Sequence, residues 1–164
     1  MPFAETAEDT MKKYAFVLAT SLIATVPALA HDMPVNASDI EWGPAPAVFP
    51  KGAEIAVLSG DPFKSGLYVV RLKMPAHYRI PAHWHPTAEY VTVVSGTFHI
   101  GMGDKLDEES GIELHAGGFG VAPAHMNHYA WATGDETVVQ VHGEGPFELT
   151  YVNPADDPRT RTSD

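Results

Sequence analysis

From residue 31 onward no stretch of the chain sustains a 3.6-residue apolar repeat, and that absence limits the fold more than any single motif does. Short β-branched runs alternate instead with glycine and proline punctuation, as at Ser59-Gly60-Asp61-Pro62. Leu67–Met74 has a clean period of two. Tyr68, Val70, Leu72 and Met74 share one face and Val69, Arg71 and Lys73 the other, so the first face is the expected core. Many short strands without helices bury their apolar faces only as a sandwich or a closed barrel. The expectation is therefore an all-β sandwich or barrel, for which a double-sheet jelly roll is one way to protect the strand edges, and with no internal repeat, a single one.

Strands are expected at Glu54–Leu58, Leu67–Met74, Tyr90–Val94, Glu113–Leu114 and Gly118–Val121. A hairpin at Val94-Ser95-Gly96-Thr97 would lead into Phe98–Gly101, and His128–Ala132, Thr137–His142 and Phe147–Val152 would complete the sheet. Asp107-Glu108-Glu109 reads as a solvated loop tip.

The ends read differently. Met11-Lys12-Lys13, a largely apolar stretch from Tyr14 to Val26, and Ala28-Leu29-Ala30 have the layout of a secretory signal peptide cleaved after Ala30. The apolar stretch is too short, and too interrupted by Thr20, Ser21, Thr25 and Pro27, to span a membrane. Residues 1–30 are thus expected to be an upstream extension and signal, with the start at Met11, delivering a periplasmic or secreted protein free of the membrane. Residues 31–53 form a Pro/Ala-rich arm tacked down by Trp42 and Phe49, 54–153 the β domain, and 154–164 a mobile charged tail. The chain has no cysteine, which excludes disulfides, thiolate metal sites and a cysteine nucleophile. Its net charge of −11 argues against nucleic acid as a partner.

The chemistry concentrates in His83-Trp84-His85-Pro86-Thr87-Ala88-Glu89. Two histidines one residue apart on an extended chain point the same way, and Glu89 opens the next strand, so three ligand groups can converge from adjacent strands. Imidazole nitrogen and carboxylate oxygen suit first-row transition metals. His128 is the candidate fourth ligand.

The pattern His83-x-His85-x3-Glu89-x6-Gly96 resembles the first cupin motif, and Gly117-x5-Pro123-x4-His128 resembles the second. His77 and His125 stand where these motifs carry glycine, and Ala132 where the second ends in asparagine. The resemblance implies a cupin-type double-stranded β-helix holding one metal on His83, His85, Glu89 and His128. Mn or Fe is favoured, with Ni, Cu or Zn also compatible with the donors. It further implies a small oxygen-rich organic substrate handled by dioxygenase, oxidase or decarboxylase-like chemistry, and a homodimer. The other reading is a non-catalytic periplasmic metal- or ligand-binding module. Parity adds further candidates. His142 would serve as a proton-transfer residue and Gln140 would accompany it, if their strand face looks inward. Phe98 and Phe119 would line the cavity, and His125 would either stand at its mouth or simply be exposed. Trp84 should point away from the metal, and His99 and His115 should lie at the surface or an interface.

Overall fold

A computed structural model describes residues 34–160. The signal-peptide reading of residues 1–30 lies outside the described residues, as do 31–33 of the arm and 161–164 of the tail. The described strands are β1 (Gly43–Pro44), β2 (Glu54–Ser59), β3 (Gly66–Met74), β4 (Arg79–Trp84), β5 (Glu89–Met102), β6 (Ile112–His115), β7 (Phe119–Ala122), β8 (His128–Gly145) and β9 (Thr150–Tyr151).

Strand β8 organises the sheet. One edge pairs antiparallel with β5 almost end to end, from Met102↔His128 to Tyr90↔His142. Its other edge is shared: β4 takes the first part, with His83 opposite His128, and β3 takes the rest, from Met74↔Thr137 to Gly66↔Gly145. Strands β2 and β1 continue outward from β3, while β6 and β7 pair with the far edge of β5. A strand flanked by different partners along its length forces the sheet to curl, and the result is the half-barrel of a jelly roll.

The concave face is the core, and on β3 it is the face that parity selects: Tyr68, Val70, Leu72 and Met74 are all buried. Each such side chain contributes roughly 1.5–3 kcal/mol relative to exposure, so a one-residue slip that put Arg71 and Lys73 inside would lose several times that. The arm closes over this core. Phe49 stacks on Phe147 at 5.8 Å, Tyr151 donates to the Val48 carbonyl, and Trp42 lies under the Lys73 ammonium at 4.2 Å.

Three expectations change. The hairpin at Gly96 does not exist, because β5 runs unbroken through it; Gly96, at φ +78°, is a bulge residue where β5 crosses Thr137. His128–Ala132 and Thr137–His142 are two halves of one strand, β8, with Gly134 at φ +69° between them. His99 is buried within the chain instead of lying at the surface or an interface: its ring stacks on Trp131 at 4.6 Å and its Nε2 lies 2.9 Å from Thr133 Oγ1. It is covered because the loop after β5 folds back over Trp131, held by the ion pair Arg79–Glu108, so the acidic run is partly a clasp. His115 is exposed beside Glu113, as expected. Residues 154–160 of the tail form two 3₁₀ turns, the first capped by Asn153.

Candidate metal centre

His83 and His85 straddle the end of β4, and His128 opens β8 directly opposite His83, so the antiparallel register itself brings the three imidazoles together. Ring centroids lie 4.2 Å apart for His83–His128, 4.9 Å for His83–His85 and 5.1 Å for His85–His128. One nitrogen from each falls within 4.8 Å of the other two.

Backbone carbonyls hold the rings. His83 Nδ1 lies 2.7 Å from Pro81 O, His85 Nδ1 2.7 Å from Glu148 O, and His128 Nδ1 3.0 Å from Met126 O. A carbonyl only accepts, so each Nδ1 carries the proton and each Nε2 is left with a lone pair. Nε2 of His85 and of His128 is buried without any hydrogen-bond partner. Unpaired buried acceptors cost stability, and a cluster of them around one point is what a cation would satisfy. Burial, then the neighbouring His128 and His85, pushes the His83 imidazole well below its ordinary pKa, and burial lowers that of His128. Both therefore stay neutral, the form that binds a metal. Glu89 opens β5 with Oε2 3.7 Å from His85 Nε2 and faces the same cavity. The three imidazoles fit a first-row divalent ion as nitrogen donors, while Glu89 lies beside His85 but outside the three-nitrogen cluster.

The profile of the ChrR cupin-like domain family matches residues 30–148, most of the chain. The protein belongs to that cupin family. Its fold is shared with an RmlC-like cupin from Ralstonia eutropha JMP134 (TM-score 0.58, 21% identity, covering 78% of this chain and 76% of that one). It is shared also with the polyketide cyclase RemF from Streptomyces resistomycificus (TM-score 0.63, 16% identity, 77% and 89%) and with KdgF from Halomonas sp. (0.52, 21%, 66% and 91%). No protein of curated function matches the chain in sequence.

In this cupin the histidines and Glu89 meet a cavity of about 50 Å³, and Phe98 lines it as expected. Four other candidates do not reach it. Along the last part of β8, Val139 and Val141 point inward, which turns Gln140 and His142 to the outer face. There Arg71 Nε donates to Gln140 Oε1 at 3.1 Å, and Gln140 Nε2 meets His142 Nε2 at 3.0 Å. His142 is therefore not in place to serve the centre. Phe119 is 58% exposed: on β7 the small residues Gly120 and Ala122 take the inner positions, with Gly120 under Leu114 and Ile100. His125 is also exposed. Its ring packs on Trp84 at 5.4 Å, and its backbone N–H donates to His85 O, tying the two motifs together outside the cavity. That gives outward-facing Trp84 a partner within the chain.

His77 and His125 adopt φ of 60° and 59° and are the only non-glycine residues at positive φ among the described residues. They occupy the two positions where the cupin motifs carry glycine, so the turns are kept while the side chain is changed.

Sequence reasoning did not identify Tyr68 as part of the site. It was legible only as a core residue, yet it lines the cavity; burial, and secondarily the charge of Glu89, raises its phenol above the usual range and keeps it protonated. The orienting carbonyls of Pro81, Met126 and Glu148 leave no signal in side-chain identity at all.

Proposed function

We propose that this cupin is a metal-dependent enzyme of dioxygenase, oxidase or decarboxylase type acting on a small organic molecule. His83, His85, His128 and Glu89 would hold its ion, Mn or Fe ahead of Ni, Cu or Zn. The observation that carries the reading is the convergence of three imidazoles, each ring fixed from behind by a carbonyl, at an apolar-walled cavity. An ion bound there supplies Lewis-acid activation and, as Mn or Fe, redox capacity. The chain's own residues do the rest. Apolar side chains such as Val70, Leu72 and Val141 exclude water, which strengthens every charge interaction at the centre. With His142 outside, Tyr68 is the neutral donor in the cavity.

The small number of proton-handling groups favours a second reading, a non-catalytic module that binds a metal or small ligand. Turnover separates the two. Protein loaded with Mn or Fe should consume oxygen or release carbon dioxide from small carbonyl or carboxylate compounds, and Tyr68→Phe should slow turnover without releasing metal. Metal retained with no turnover across such a panel supports the binding module. We also propose export to the periplasm or medium, for which an amino terminus at His31 in the secreted protein is the test, and a homodimer, which sedimentation would reveal.

A further inference from the structure

The cavity beside the three histidines says which ligands the centre takes. Of its lining side chains, only the three histidines, Glu89 and Tyr68 carry a polar atom. No lysine or arginine lines it. The cations on the strands that build its wall all point outward and are engaged there: Arg71 with Gln140, Lys73 with Glu54, and Arg79 with Glu108. Phe63 both lines the cavity and is 61% exposed, which places it at the mouth with its neighbour Pro62. The adjacent Lys64 is paired to Asp61 and does not line the cavity.

Charge counting then restricts the occupant. A divalent ion with three neutral imidazoles and one carboxylate leaves one net positive charge, which a single anionic ligand group neutralises. A second anionic group would be desolvated against Val70, Leu72, Phe98, Val139 and Val141 with no counter-charge to meet it. The rest of the wall is aliphatic and aromatic, so whatever part of the occupant lies beyond its anionic head meets apolar surface.

We propose that the centre takes a small organic monoanion, with one anionic oxygen-bearing head on the ion and a short apolar remainder against the aliphatic wall, and that it rejects dianions such as dicarboxylates and sugar phosphates. This rests on the metal-centre reading above and narrows its substrate to a class.

The test uses the mature protein loaded with cobalt(II) at pH 7.5, beside a His83→Ala/His128→Ala variant. Visible absorption and the thermal midpoint are followed on addition of acetate, propionate, butyrate and succinate. Affinity should rise about fourfold per added methylene from acetate to butyrate. Succinate, as long as butyrate but doubly charged, should bind at least about tenfold more weakly than butyrate. A flat monocarboxylate series, or succinate binding as tightly as butyrate, overturns the proposal while leaving the metal centre standing. Absence of a cobalt spectrum before any ligand is added, with wild type and variant alike, overturns the metal-centre reading and this inference with it.

Discussion

Replacing His77 by glycine should stabilise the protein, and the same change at His125 should not. Both residues sit at φ near +60°, where an L side chain costs roughly 1–2 kcal/mol that glycine avoids. Glycine gives back about 0.4–1 kcal/mol through the greater freedom of the unfolded chain. For His77, exposed and with no ring contact or ring hydrogen bond among the described residues, the net gain is about 0.5–1 kcal/mol. For His125 the ring's packing on Trp84 at 5.4 Å is also lost, an aromatic contact of about 0.5–1.5 kcal/mol, so the gain is cancelled or reversed. Urea unfolding at pH 7.5 with equal m-values measures both. In a domain of this size His77→Gly should raise Tm by about 2–4 °C, while His125→Gly should leave it unchanged or lower it. A loss of 1 kcal/mol in His77→Gly would refute the strain argument, since it would require the imidazole to hold contacts worth more than the backbone conformation costs.

Other consequences are direct. Gly96→Ala places a Cβ 2.5 Å from Thr137 Oγ1 and 2.7 Å from Glu136 O, at positive φ, and should cost about 2–5 kcal/mol, seen as a large drop in the urea midpoint. His142→Ala should leave metal content and ligand binding unchanged and shift stability by less than about 0.5 kcal/mol, because the ring lies on the outer face; loss of metal or of ligand affinity would contradict that placement. The chelator-treated protein should lose stability as pH falls through about 6.5. Burial holds His83 and His128 below their ordinary pKa in the fold, so the unfolded chain takes up protons first, and the loss levels off only below the folded values. A urea midpoint unchanged between pH 7.5 and 5.5 would show that these imidazoles are not held neutral.

The convergence of the three histidines was legible in the sequence because two separate regularities agree on them. Alternation puts His83 and His85 on one side, and the motif spacing picks out His128, which the register then sets opposite His83. The core face of β3 was legible for the same reason, since its alternation is unbroken from Tyr68 to Met74. Strand β8 was harder. From Val138 to Val141 three of four residues are valine, so either parity could face inward; the wholly apolar set Val139 and Val141 against Gln140 and His142 carried the answer. Phe119 defeated the rule that large apolar residues go inside, because the inner side of β7 lies against Leu114 and Ile100 and has room only for Gly120 and Ala122. Continuity of β5 through Gly96 was invisible because a strand bulge and a hairpin use the same glycine.

The central claim is the metal centre, and elemental analysis tests it most directly. The mature protein, purified without a metal-affinity tag, would be measured beside the His83→Ala/His128→Ala variant, with circular dichroism confirming that both are folded. The account predicts about one equivalent of a first-row metal in the wild type and none in the variant, since the variant removes two of the three converging nitrogens. No metal in the folded wild type, even after incubation with Mn, Fe or Zn, would contradict it.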